Sequence, residues 1–180
     1  MLLSPTAAFA LATQLRTTGA PIGDVFSFLS GLYFRGKLGY ARAFGVTALV
    51  MTSDMGLVPP ERTISRVDIE RFATVDLAKA DQRFLAPLRR DAEQLDDSLS
   101  PGATVVLLGS IASDKYVGTL LDVFGERLLF PSDFVGRGDM SRGGLLLRQV
   151  ASNTELEYVP VLGAVRHGAR PPRLDPKTRP

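Results

Sequence analysis

Residues 104–132 read TVVLLGSIASDKYVGTLLDVFGERLLFPS, and this stretch decides the fold that the sequence predicts. Its two ends, 104–108 and 127–130, are short and mostly apolar without alternation, which is typical of strands that are buried on both faces. Between them, four apolar residues recur at i, i+3, i+4 and i+7 of a helix: Val117, Leu120, Leu121 and Phe124. Gly125 then occupies the position where a helix commonly ends. The segment therefore predicts a strand–helix–strand unit with two parallel strands.

The remaining segments predict more elements of the same kind. The run VTALVM at 46–51 predicts another buried strand, and 156–165 predicts an edge strand. A first helix is expected to end at about Arg16. Further helices are expected over 22–44, in two pieces around Ser30-Gly31, and over 65–73 and 79–97. We therefore expect a three-layer α/β domain with a mainly parallel central sheet of about four strands flanked by helices.

Composition limits the class of protein. The 180 residues suit a single domain, which we place at 1–165. The chain has no cysteine, which excludes disulfides and thiolate metal sites and favours a reducing, cytoplasmic location. The apolar runs all fall short of a membrane span, so no membrane contact is expected.

The positive charge is concentrated at the C-terminus. Residues 166–180 contain five basic residues and one acidic residue, so this proline-rich tail carries +4. The whole chain is +2, so the body is slightly acidic. The tail predicts a disordered, solvated end, and contact with a nucleic acid or another partner is the alternative.

Three loops follow the predicted strands, at 52–60, 109–115 and 131–144. In open α/β sheets, ligands bind outside the carboxyl ends of the strands, so we expect these loops to form one rim. The third loop contains Gly136, Gly138, Gly143 and Gly144 together with two arginines, a composition that suits an anion. A tight loop with solvent-exposed arginines is the alternative. The expected ligand-binding residues are Ser53, Gly109, Ser110, Lys115, Ser132, Gly136, Arg137, Gly138, Arg142 and Arg35.

Asp54 is the candidate catalytic residue. It lies in the first loop, where a carboxylate can orient water as a general base, although an Asx-turn ahead of Gly56 is the alternative. The preceding helix places Tyr33, Lys37 and Tyr40 close to one face, and a basic, aromatic face suits a base or a phosphate. One histidine and no cysteine leave little for zinc, and we expect no cofactor.

Two segments resemble known proteins. Residues 53–59, SDMGLVP, are similar to the Ser-x-x-Gly-x-Val-Pro stretch in the non-barrel part of archaeosine synthase and in related bacterial α/β domains. A helix resembling 32–41 often precedes that stretch, and these domains resemble the uracil-DNA glycosylase fold. The resemblance implies a water-activating role for Asp54. It also aligns 108–112 with the Leu-Trp-Gly-x-x-Ala strand end and 130–132 with the His-Pro-Ser loop.

The chain departs from the glycosylase pattern at the groups that perform uracil excision. Phe130 stands in place of the histidine, and no Gln-Asp-Pro-Tyr surrounds Asp54. Three functions therefore remain open. The first is a domain that binds a nucleotide, a nucleobase or nucleic acid at the rim. The second is a nucleobase or nucleoside N-glycosidic hydrolase or transferase that uses Asp54. The third is a structural or partner-binding domain, and the oligomeric state stays open in all three.

Overall fold

The computed structural model describes residues 2–77, 79, 81–112, 114–172 and 174. Within them, the helices are α1 (Ala10–Thr17), α2 (Ile22–Leu29), α3 (Gly31–Phe44), α4 (Arg66–Phe72), α5 (Gln82–Ser98), α6 (Asp114–Phe124) and α7 (Asp139–Ser152). The strands are β1 (Ala20–Pro21), β2 (Val50–Met51), β3 (Leu57–Val58), β4 (Thr63–Ile64), β5 (Val105–Val106), β6 (Leu128–Pro131) and β7 (Tyr158–Pro160). None of the described helices is long and apolar enough to cross a membrane.

The predicted strand–helix–strand unit is confirmed. β5 and β6 are parallel, with Val105 opposite Leu128, and α6 connects them. Val117, Leu120 and Phe124 of α6 are buried, and Gly125 follows the helix with a φ of +55°. The edge strand β7 pairs antiparallel with β6 and completes a mixed sheet of three strands in the order β5-β6-β7.

The predicted central sheet of about four mainly parallel strands is wrong. β2 does not join β5 and β6 but pairs antiparallel with β3 in a hairpin, and β1 pairs antiparallel with β4. Only Val50–Met51 of the predicted run 46–51 is a strand, and Val46 is fully exposed. The hairpin is closed by Thr52, whose Oγ1 donates to the Gly56 carbonyl oxygen and accepts from the Met55 amide. An apolar run indicates burial but does not specify which strand becomes its partner.

Helix α7 begins earlier than the sequence indicated. The segment 131–144 was expected to be a loop, but α7 starts at Asp139 and includes both Gly143 and Gly144. Gly143 is required there because a Cβ atom on it would lie 2.7 Å from the Tyr33 Cα atom of α3. A Cβ atom on Gly36 would in turn lie 2.7 Å from the Gly143 carbonyl oxygen. Glycine at the crossing therefore allows the backbones of α3 and α7 to touch.

Two clusters of buried side chains form the interior. The C-terminal core comprises residues of the three-stranded sheet, α5, α6 and α7, and the N-terminal core comprises residues of α1, α2, the β1–β4 pair and α4. The β2–β3 hairpin contacts both, because Val50 and Val58 pack in the N-terminal core whereas Met51 and Leu57 pack against the C-terminal core. The sheet and its helices thus form one layered half, and the hairpin joins it to the other.

The described part of the C-terminal segment lies against the β6–α7 connection. Arg166 forms an ion pair with Asp114 at the start of α6. Further along, Gly136 lies so close to the Ala169 carbonyl oxygen that a Cβ atom at position 136 would overlap it. Leu174 packs against the C-terminal core. Tail residue 173 and residues 175–180 lie outside the described residues, and the predicted disorder of the tail stays a prediction.

Candidate functional site

Two tyrosines fix the loop that follows β5. The Tyr33 hydroxyl of α3 donates to the Leu108 carbonyl oxygen at 3.1 Å, and the Tyr116 hydroxyl of α6 donates to the Ser110 carbonyl oxygen at 2.7 Å. Gly109 lies between these two anchors, and a Cβ atom there would lie 2.7 Å from the Tyr116 hydroxyl oxygen. The backbone of the loop is therefore held against α3 and α6.

Lys37 lies one helical turn after Tyr33, with its Nζ atom 4.0 Å from the centre of the Tyr33 ring. Its side chain is half-buried. Within the described residues, no carboxylate lies within ion-pair distance of the Lys37 ammonium group, and no hydrogen bond to it is found. Burial lowers the pKa of Lys37, and the Arg142 charge lowers it further, whereas the Asp139 charge acts in the opposite direction.

Arg142 is a buried cation with a fixed position. Only 8% of the residue is exposed, and its Nε and Nη2 atoms donate to the Phe134 carbonyl oxygen at 3.2 and 3.1 Å. Its Nη1 atom lies 3.6 Å from Asp139 Oδ1. The guanidinium carbon also lies 5.4 Å from the centre of the Phe134 ring. These contacts hold the positive charge at the first turn of α7.

The five residues Tyr33, Lys37, Tyr116, Asp139 and Arg142 form what we term the Lys37 cluster. Burial raises the pKa of Tyr33 to about 12, although the charge of Arg142 acts to lower it. Burial also raises the pKa of Tyr116, against the hydrogen bond to the Ser110 backbone. Both phenols therefore stay neutral at physiological pH. Two cations and one carboxylate remain, so the cluster carries one uncompensated positive charge.

The amino end of α7 adds to this charge. Gly138 precedes the helix and has no side chain to cap it, so the first-turn amides lack a side-chain acceptor there. The helix dipole contributes a partial positive charge at the same end. A charged lysine, a charged arginine and a helix amino end in one place together favour an anionic group.

The loops after β5 and β6 leave the same edge of the sheet, because these strands are parallel neighbours. Among the expected ligand-binding residues, Gly109, Ser110, Gly138 and Arg142 belong to this edge. Lys115 lies beside Tyr116 at the start of α6 and is exposed, and Arg35 is exposed on α3. Arg35 is two residues from both Tyr33 and Lys37 and therefore lies on the opposite side of α3 from them.

Other predicted residues have structural partners. Arg137 donates from Nε to the Asp133 carbonyl oxygen at 2.9 Å, and its Nη1 atom lies 3.4 Å from Ser141 Oγ, so its guanidinium group is engaged within its own loop. Gly136 has a φ of +71°, as expected for a tight turn. Ser132 lines a separate, shallow groove of about 270 Å³ beside β7.

The residues of the first loop lie elsewhere. Ser53 and Asp54 occupy the β2–β3 turn, and β2 does not belong to the sheet of β5 and β6. The expectation that three loops form one rim is therefore wrong, because only two of them share a sheet edge. Asp54 Oδ2 accepts from Arg71 Nε at 2.5 Å, and Oδ1 accepts from Nη2 at 3.3 Å. Both carboxylate oxygens are thus engaged by α4.

Sequence reasoning found part of the Lys37 cluster. The helical spacing placed Tyr33 and Lys37 on one face, but nothing in the pattern indicated that Arg142 is buried or that Tyr116 reaches Ser110. The repeated glycines of α3 and α7 were the available signal, since they mark the crossing that brings these groups together. Within residues 2–77, 79, 81–112, 114–172 and 174, no three acidic or histidine side chains form a group able to hold a metal ion.

Comparisons of the chain with known protein families, with curated proteins and with solved structures found no match. The resemblance to archaeosine synthase and to the glycosylase fold stays a prediction from short motifs.

Proposed function

We propose that this protein binds the phosphate of a nucleotide or nucleic acid at the Lys37 cluster. The observation that carries the proposal is the half-buried Lys37 ammonium group on the Tyr33 ring, which has no ion-pair partner among the described residues and lies within electrostatic range of the buried cation Arg142. An unpaired positive charge removed from water is unfavourable unless an anion accompanies it. A phosphate supplies that anion. Its oxygens also accept the hydrogen bonds that the Lys37 ammonium group and the free amides of α7 can donate.

The surroundings of the cluster fit a ligand that extends beyond one phosphate. Lys115 is exposed on α6, which borders the cluster, and adds a positive charge for a further phosphate of a nucleotide or a strand. The neutral hydroxyl groups of Tyr33 and Tyr116 keep the loop after β5 in place instead of competing for the anion. A cytoplasmic location, which the absence of cysteine favours, belongs to the same proposal.

Thermal stability in the presence of ligands tests this proposal. Inorganic phosphate, mononucleotides and short single-stranded oligonucleotides are added at low salt, and a ligand at 100 times its Kd is expected to stabilise the protein by about 2.7 kcal/mol. The variant Lys37→Gln is expected to weaken binding by about 10-fold or more, because it removes a charge-assisted hydrogen bond.

Lys79→Gln is the matched control, since Lys79 is highly exposed and pairs with Asp76 at the surface. It is expected to leave ligand affinity unchanged. The proposal fails if none of these ligands stabilises the protein, or if the two variants lose affinity equally.

The catalytic alternative gains no support from the position of Asp54. Its ion pair with Arg71 occupies both carboxylate oxygens, and its turn lies on a different sheet from the Lys37 cluster. The N-glycosidic reaction therefore stays a sequence-based prediction. Asp54→Asn would test it, with loss of base release as the expected result.

A further inference from the structure

We propose that Lys37 is also a nucleophilic amine, which forms a Schiff base with an aldehyde on a phosphate-bearing ligand. The inference rests on the proposed function, because Arg142 and the amino end of α7, which stay positive when Lys37 is neutral, are what retain the phosphate beside the amine. It goes further in assigning a covalent step and a class of ligand to the same site.

The choice of lysine at this position is the first argument. The chain contains 17 arginines and four lysines, and arginine supplies the cation of nearly every ion pair in the described residues. Arginine is sufficient where a site needs only a fixed positive charge, as Arg142 shows. Arginine does not lose its proton in proteins, whereas lysine can become a neutral amine. Lysine at position 37 therefore provides chemistry that Arg142 cannot.

The surroundings of the amine are the second argument. A lysine becomes nucleophilic when it is desolvated or placed next to another cation. The first condition holds here, since the side chain is half-buried and its Nζ atom lies 4.0 Å from the centre of the Tyr33 ring. Burial lowers the pKa of Lys37, and the opposing charge of Asp139, which acts more strongly than that of Arg142, does not cancel this effect. The neutral amine is therefore more populated than on an exposed lysine. Among the described residues, Lys79 and Lys115 are exposed and offer no comparable environment.

The step balances without any further reactant. The lone pair of the neutral Lys37 Nζ atom attacks the aldehyde carbon and forms a C–N bond, giving a carbinolamine. The carbonyl oxygen then leaves as water, together with the two protons that the amine carried, and a C=N bond remains. No oxidant or reductant is needed. The neighbouring phenols remain protonated donors, because burial raises the pKa of both.

The ligand chemistry follows from the two functions of the cluster. The expected ligand carries an aldehyde and, a short distance away, a phosphate, as in the open-chain form of a sugar phosphate. A free sugar phosphate and a base-free position in a nucleic-acid strand share this chemistry. The experiment therefore includes both sources as separate arms.

Reductive trapping on the full-length chain tests the proposal. The protein is mixed near pH 7 with pyridoxal 5′-phosphate, ribose 5-phosphate or an oligonucleotide with one base-free position, and the imine is reduced with borohydride. Peptide mass mapping then compares labelling at the four lysines: Lys37, Lys79, Lys115 and Lys177. Lys37 is expected to react with pyridoxal 5′-phosphate about 10-fold faster than Lys79 or Lys115. Selective trapping with ribose 5-phosphate or with the oligonucleotide identifies the natural source.

Lys37→Arg and Lys79→Arg are the paired variants, and both retain the positive charge. The first is expected to abolish the selective label and to retain phosphate-induced stabilisation, and the second is expected to change neither. Equal labelling of Lys37 and the exposed lysines overturns the inference, and this comparison within the wild-type chain does not depend on how a variant folds. Competing inorganic phosphate, and pyridoxal in place of pyridoxal 5′-phosphate, test the phosphate site separately. If neither of them reduces the selective labelling of Lys37, the proposed phosphate site is overturned and the reactive amine stands.

Discussion

At the scale of single residues, the contact between α3 and α7 depends on the absence of a side chain at Gly143. Gly143→Ala places a methyl group 2.7 Å from the Tyr33 Cα atom, where no side-chain rotation can relieve the overlap. We expect a loss of about 1–3 kcal/mol in the free energy of unfolding, measured by chemical denaturation. Gly118→Ala is the control, because its Cβ atom meets nothing within 4 Å inside α6. It should stabilise the protein by about 0.5–1 kcal/mol, and a loss equal to that of Gly143→Ala would contradict the crossing.

Tyr33 gives a second prediction at the residue scale, in the alkaline range. Burial raises the pKa of its phenol from 10.0 to about 12 in the folded protein, so the folded state retains a proton that the unfolded state loses first. The stability that this group contributes is complete below about pH 10 and is lost as the pH rises towards 12. We therefore expect Tyr33→Phe to reduce the fall in unfolding free energy between about pH 10 and 12. An identical fall in the variant and the wild type would contradict the burial of this phenol.

At the scale of elements, the sequence predicted local structure better than strand pairing. The β5–α6–β6 unit is recognisable because its strands are neighbours in the chain and the helix between them is amphipathic. The run 46–51 was equally apolar, but its partner β3 was hidden in a loop-like segment with two prolines. Similarly, Gly143-Gly144 resembled a loop in sequence, whereas in α7 these glycines allow a close helix contact. The position of Asp54 was misjudged because the pairing of β2 with β3 was not recognised. The extent of α7 was misjudged because its glycines resemble a loop.

The turn before α7 provides the prediction for this scale. Gly136 and Gly163 have similar φ values of +71° and +73°, but only Gly136 lies against the Ala169 carbonyl oxygen, and the space around Gly163 is open. Each alanine substitution should cost about 1–2 kcal/mol for the left-handed backbone. Gly136→Ala should cost more than Gly163→Ala in the full chain, and the two should become equal when residues 166–180 are removed. A difference that survives this truncation would contradict the contact between the C-terminal segment and the turn.

At the scale of the whole molecule, the two cores share structural elements. Phe34 of α3 packs against the N-terminal core, whereas Tyr33 and Tyr40 of the same helix pack in or against the C-terminal core. The β2–β3 hairpin divides its side chains between the cores in the same way. Elements that bury one face in each core lose contacts in both when either core melts. The two cores should therefore unfold together, although the described residues form three small sheets instead of one central sheet.

The tyrosines allow this cooperativity to be measured. The chain has no tryptophan, and its four tyrosines all pack in or against the C-terminal core, so tyrosine fluorescence reports on that core alone. Val25 is fully buried in the N-terminal core, and Val25→Ala should destabilise it by about 1–3 kcal/mol by removing buried methyl groups. If the cores unfold as one unit, the denaturation midpoint by fluorescence shifts as far as the midpoint by far-ultraviolet circular dichroism. Val67→Ala, at an exposed position of α4, should shift neither. An unchanged fluorescence midpoint beside a shifted dichroism midpoint would mean that the halves fold independently, because the shared helix and hairpin would then transmit no stability between them.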